Sequence, residues 1–197
     1  MNDFVGQVGA AGFAIVPTFL ELFELAVLDE ALPASVGQSG GLRNLLDLPE
    51  IAALATSQKV RSLVDPLLGQ DAFPVRGIFF DKTPDANWKV SWHQDLSIAV
   101  SQRRDAPGYG PWSEKAGVLH VQPPVDVLER MLVVRIHLDE SGPDNGPLRV
   151  LPGSHRAGKL RDVESIRARP TSTVRRPSPR RGWAVSQEPI KKEAHAA

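Results

Sequence analysis

The sequence predicts a mainly β chain with flanking helices, because helical signals are confined to its first third and strand-like runs take over from Phe73. Gly12 to Pro17 reads as a short strand. Thr18 and Glu21 then have capping-box spacing for a helix in which Leu20, Phe23 and Val27 share one face. Ser57 is placed to cap a later helix, whose Val60, Leu63, Val64 and Leu67 form an i, i+3, i+4, i+7 stripe ending at Gly69. Beyond Phe73, Val75 to Phe80, Trp88 to Trp92 and Leu132 to Leu138 are strand-like and separated by Pro, Gly, Asp and Asn. A β core behind N-terminal helices follows.

Two stretches lack a period. Ser101 to Pro124 carries Pro107, Gly108, Gly110, Pro111 and Gly117 with Tyr109 and Trp112, which fits a lid or a plain loop, the aromatics favouring the lid. After Arg167 arginine alternates with proline through Arg181, a composition that forms cores poorly. The expected organisation is one domain over residues 1–168 and an Arg/Pro-rich, disordered tail over 169–197.

Composition narrows the function classes. The 23 Lys and Arg residues balance the 23 Asp and Glu, so the whole chain lacks the charge signature of a nucleic-acid or anionic-membrane binder. Trp183 is the lone aromatic within the arginine-rich tail, which argues against a nucleic-acid contact there. Cysteine is absent, which excludes disulfides, cysteine-ligated zinc and iron–sulfur clusters and leaves any metal to His, Asp or Glu. No apolar run reaches the length that spans a bilayer, and no basic residue precedes the first apolar stretch. A cytoplasmic, non-membrane protein is expected.

The chemistry-bearing constellation is Trp92-His93-Gln94-Asp95, at the end of an apparent strand. Side chains two apart on a strand project from one face, so His93 and Asp95 can hold one metal, with Gln94 on the other face. An imidazole and a carboxylate joined by a second imidazole make the facial triad of non-haem Fe(II) oxygenases. The His-x-Asp triplet alone is a weak signal. A second constellation strengthens it: the strand Leu132 to Leu138, the turn Gly142-Pro143-Asp144-Asn145-Gly146, and a returning strand from Pro147 to Leu151 that ends in Pro152-Gly153-Ser154-His155.

These motifs, in this order and separation, resemble the phytanoyl-CoA dioxygenase family across roughly residues 10–168, as do Phe79-Phe80-Asp81-Lys82-Thr83 and Asn87-Trp88-Lys89-Val90. The resemblance implies a double-stranded β-helix, or jelly roll, with helices outside, incomplete at its C-terminus, and iron at one open end. It implies an Fe(II)- and 2-oxoglutarate-dependent dioxygenase, with His93 and Asp95 as metal ligands and no catalytic side chain beyond them. Decarboxylation of 2-oxoglutarate to succinate would accompany hydroxylation of a small-molecule substrate by dioxygen. A carboxylate at position 95 favours hydroxylation over halogenation in this family.

Other polar residues admit two readings. Arg135 and His137 share the polar face of a strand whose other face is Leu132, Val134, Ile136 and Leu138. Arg135 is either a cation lining the co-substrate site, able to fork onto a carboxylate, or a solvent-facing arginine. Lys89, four residues before His93, either attracts the co-substrate or is simply exposed. Trp92 is expected to pack beside the site and His120 beside the lid, while His155 is a turn or substrate-side histidine rather than a ligand.

The family's distal histidine should follow the Pro-Gly-Ser-His turn by several tens of residues on an apolar strand, with an arginine beyond it for 2-oxoglutarate. No such pattern is visible after Arg169. His195 stands near the expected distance, but Lys191, Lys192 and Glu193 precede it where apolar residues belong. Loss of activity, or a non-catalytic jelly-roll binding protein, is therefore the rival expectation. An Arg-, Pro- and Ser-rich tail is also what a shifted frame of GC-rich DNA encodes. Sequencing the gene is then expected to show another frame, opening near the Arg169 codon, that encodes an apolar strand, a histidine and an arginine; finding none sinks the idea.

Overall fold

In a computed structural model of the protein, the described residues are 3–17, 19–32, 41–80, 92–138 and 148–160, together with the backbone of 172–173, 182–187 and 191–193. The first helix, α1 (Phe4–Ala11), opens on Asp3, whose carboxylate accepts from the Gly6 N–H at 2.8 Å, and closes on Gly12 at φ 85°. Strand β1 (Phe13–Pro17) leaves from there. Its alternation is two-sided. Ala14 clusters with Val8 of α1 and with Leu63, whereas Phe13 and Ile15 pack against Leu148 and Val150 on the opposite face.

Helix α2 (Leu22–Ala31) begins later than the sequence suggests. Its capping box is Glu21 with Glu24, whose carboxylate reaches back to the Glu21 N–H at 2.7 Å, and Thr18 lies outside the described residues. The expected apolar face is corrected as well. Leu20, Leu25 and Leu28 are buried, but Phe23 and Val27 are 69% and 50% exposed. The reason is tertiary: Leu25 and Leu28 meet Val60, and that contact fixes the rotation of the helix.

Helix α3 (Pro49–Thr56) carries proline in its first turn, where no N–H is needed. Helix α4 (Gln58–Leu68) has the boundaries expected of it: the Ser57 hydroxyl accepts from the Val60 N–H at 3.2 Å, Gly69 ends it, and Val60 and Leu63 are buried. Lys59 of α4 pairs with Glu24 of α2. That bond, with the Glu21 N–H, holds the Glu24 carboxyl below its ordinary range.

The strand runs after Phe73 are shorter than expected. The hairpin-like pair β2 (Gly41–Arg43) and β3 (Ile78–Phe80) is antiparallel, with Arg43 opposite Ile78. Residues 81–91, which include the expected strand before Trp92, lie outside the described residues. The stretch expected to be a lid or a plain loop contains two strands. Strands β4 (Ile98–Val100), β5 (Trp112–Lys115) and β6 (Val118–Val121) form an antiparallel unit in the order β4-β6-β5. The two-residue turn joining β5 to β6 is Ala116-Gly117, both at positive φ. Alanine does not announce that conformation, so the hairpin is not visible in the sequence.

The short helix α5 (Val125–Leu128) leads to β7 (Leu132–Ile136). Strand β8 (Leu148–Val150) follows, then a 3-10 turn over Ser154–Ala157. No strand pattern is legible beyond Arg169, yet the backbone forms β9 (Ser172–Thr173), β10 (Gly182–Gln187) and β11 (Lys191–Glu193). Strand β10 lies antiparallel between β1 and β7, and β8 lies between β9 and β11. Ladder pairing uses backbone groups alone, so open strand edges can recruit a partner without an apolar signature.

The layers are helices, a first sheet β1-β10-β7, and a second sheet centred on β8. Leu132 and Val134 join Ala14 in facing α1 and α4, and Val134, Ile136 and Leu138 cover the α2 cluster. Register places Ile15 and Arg135 opposite Ala184, so both project to the inner side that meets β8.

A Cβ at Gly12 would stand 2.4 Å from His155 Nδ1, and the residue has positive φ, so Gly12→Ala is expected to cost more than about 2 kcal/mol in denaturant unfolding. Gly9→Ala in the same helix meets nothing within 4 Å and should stabilise by up to about 1 kcal/mol. Because the Glu24 carboxyl is lowered when folded, its stabilisation is present above the unfolded carboxylate value of about 4.3 and disappears as pH falls through the folded value. Glu24→Gln should therefore be less stable by about 0.5–1 kcal/mol at pH 7, and the difference should shrink as pH falls below the unfolded carboxylate value.

Candidate functional site

The segment Trp92–Ser97 leads into β4, with His93 in a single-residue bridge and residues 94–97 in no regular element. His93 Nε2 stands 3.7 Å from Asp95 Oδ1, and the two side chains are 39% and 51% exposed. Two donors bound side by side to one octahedral ion stand about 3 Å apart, so this pair fits a metal after a small closure. Both are open enough for an ion to enter.

Gln94 holds the segment in place. Its amide nitrogen donates to the Gly158 carbonyl at 2.8 Å, and its amide oxygen accepts from the Leu160 N–H at 2.9 Å. Trp92 lies under Arg149, whose guanidinium carbon is 5.9 Å from the ring centre. Asp95 and Gln94 border a cleft of about 250 Å³ that is also lined by Leu128, Glu129, His155 and Lys159.

The Pro152-to-His155 turn is docked on α1. The Gly153 N–H donates to the Ala11 carbonyl at 2.8 Å, the Ser154 hydroxyl donates to Leu151 O at 2.7 Å, and the His155 ring abuts Gly12. Burial holds the His155 imidazole below its ordinary value. His155 thus combines the turn role expected of it with a place at the cleft.

His120 is fully buried within β6. Its Nδ1 is 2.8 Å from the Val118 carbonyl, which only accepts, so Nδ1 carries the proton. Burial lowers the imidazole, the Val118 bond opposes this, and the charges of Arg76, Lys115 and Arg43 lower it further. His120 is therefore neutral at pH 7.

Arg43 and Arg76 went unnoticed in the sequence. They are 33 positions apart, and the β2–β3 pairing, Arg43 opposite Ile78, brings the charge of Arg43 within reach of Arg76. Burial lowers the Arg76 guanidinium, Arg43 adds to this by repulsion, and Asp95 opposes it. Nothing in local pattern could have signalled the pair. Lys89, proposed from sequence to meet the co-substrate, lies outside the described residues, as does His195. Arg135 sits on the inner face of the first sheet and is not among the residues lining the cleft. Among the described residues, no group of three or more His, Asp and Glu side chains converges on a metal position.

No curated protein matches the chain. The fold is similar to the crystal structure of EvdMO1 (TM-score 0.68, 18% identity), covering 98% of this chain and 46% of that one. The chain thus spans less than half the length of that relative. It is also similar to SnoK, a non-haem α-ketoglutarate-dependent carbocyclase from nogalamycin biosynthesis (TM-score 0.69, 14% identity), covering 100% and 78%. A third similar structure is iron-bound HygX from Streptomyces hygroscopicus (TM-score 0.62, 16% identity), covering 99% and 80%. These likenesses bear out the expected fold, a β core of the jelly-roll type with flanking helices. The phytanoyl-CoA dioxygenase model matches residues 11–186, and the chain belongs to the phytanoyl-CoA dioxygenase family.

Proposed function

We propose that the protein is an Fe(II)- and 2-oxoglutarate-dependent dioxygenase that hydroxylates a small molecule, with His93 and Asp95 as two of the metal ligands. The single observation that carries this reading is the approach of His93 Nε2 to Asp95 Oδ1 beside a cleft, in a chain of this family. HygX crystallised with nickel, 2-oxoglutarate and hygromycin B supports a site that takes metal, co-substrate and a small molecule together. Bound iron would supply activation of dioxygen coupled to decarboxylation of 2-oxoglutarate.

The chain's own residues have distinct parts in this reading. His93 Nε2 and Asp95 Oδ1 would hold the iron, one as a neutral and one as an anionic donor. Gln94 fixes their backbone by its two bonds to residues 158 and 160. Arg135, on the inner face of the first sheet, and Lys89 are assigned to the 2-oxoglutarate carboxylates. Among the described residues no helix is long and apolar enough to cross a membrane. A cytoplasmic setting accords with the cysteine-free sequence.

Anaerobic Fe(II) titration and succinate release in the presence of 2-oxoglutarate test the proposal. The protein should bind about one equivalent of iron and release succinate, and His93→Ala or Asp95→Ala should weaken iron binding by more than about 100-fold. Absence of both iron binding and succinate release would leave a non-catalytic jelly-roll binding protein.

A further inference from the structure

Arg76 presents an unusual edge. Its Nε and Nη2 atoms are buried, and among the described residues neither has a hydrogen-bond partner. These are the two nitrogens on one side of the guanidinium plane, the side-on fork whose parallel N–H groups match the two oxygens of a carboxylate or phosphate. Leaving two buried donors of a cation unmatched costs several kcal/mol by general experience, and an anion seated on the fork removes that cost.

The surroundings favour a negative guest. Arg43 lies opposite Ile78 in the β2–β3 pair, two positions along the chain from Arg76, and its charge reaches the Arg76 guanidinium. Asn44, next to Arg43, donates to the Ala116 carbonyl at 3.2 Å and so ties this pair to the β5–β6 turn. On the facing sheet, Lys115 of β5 donates to the Ser97 hydroxyl at 3.2 Å, and the neutral His120 lies on the same face as Lys115. Among the described residues, Asp95 is the carboxylate whose charge reaches Arg76.

We propose that Arg76, supported by Arg43, forms an anion-binding subsite beside Asp95 that takes a carboxylate or phosphate group of the substrate. Calling the guest a substrate rests on the oxygenase reading above. The fork itself does not, because it lies in residues that hold no metal. The same anionic chemistry is carried by 2-oxoglutarate, so the test must separate the two sources.

Metal-free protein, kept with EDTA, is titrated with inorganic phosphate and with propionate while the Arg76 Nε–H resonance is followed. A saturable shift at millimolar anion is expected, with calorimetric affinity for the same anions falling at least about tenfold in Arg76→Gln. Arg76→Lys, which keeps the charge and loses the fork, should lose propionate binding more than phosphate binding. Far-UV circular dichroism and the unfolding midpoint confirm that each variant folds. No saturable shift, or undiminished affinity in a folded Arg76→Gln protein, overturns the subsite. A parallel succinate assay sets the source: unchanged KM for 2-oxoglutarate in Arg76→Gln assigns the fork to the substrate, and a rise of about tenfold or more overturns that assignment in favour of the co-substrate. Failure of iron binding would not alter the metal-free titrations, so the two proposals fail separately.

Discussion

The two-sided alternation of β1 is the constraint on which the rest of the architecture depends. Ala14 faces the helices through Val8 and Leu63, and Phe13 and Ile15 face Leu148 and Val150 of the second sheet. A five-residue strand thus contributes to two separate hydrophobic clusters, one on each of its faces. A slip of one residue would turn Phe13 and Ile15 into the helices and detach β8. The ladder to β10, and through it to β7, extends the same division across the sheet, so the polar alternates of β7 are delivered to the inner side.

From that strand a chain of short contacts leads to the candidate metal position. Gly12 ends α1 and accepts the His155 ring against its bare α-carbon, while the Ala11 carbonyl holds the Gly153 N–H. The turn so fixed leads directly into residues 158–160, and there Gln94 makes its two amide bonds. Gln94 lies between His93 and Asp95 in the chain. Their placement is therefore referred back to the C-terminus of α1, through hydrogen bonds and one tight ring contact rather than through a long strand.

Charge is distributed unevenly around Asp95 although the whole chain is neutral. Arg43 and Arg76 come from the β2–β3 pair, and Lys115 and His120 from the hairpin that faces it. Burial and mutual repulsion raise the cost of this concentration, and His120 responds by staying neutral. Such local clustering is what a site for anions requires, and global composition conceals it.

The helix-then-strand division, both ends of α4 and the approach of His93 to Asp95 were determined by the sequence itself. The helical cases depend on a local period or a cap, with Ser57 and Gly69 bracketing a 3.6-residue stripe, and the last on a separation of two positions that keeps His93 and Asp95 within reach of each other. The family was legible for a related reason, since its motifs are short and contiguous. Tertiary structure decided the rest. Which face of α2 is buried depends on Val60, more than thirty residues away, and the hairpin at Ala116-Gly117 depends on a positive φ that alanine does not advertise. The seat of His155 against Gly12 and the meeting of Arg43 with Arg76 likewise join residues that no local window contains. Backbone periodicity acts over a few residues, whereas burial and charge act between whichever residues the fold brings together.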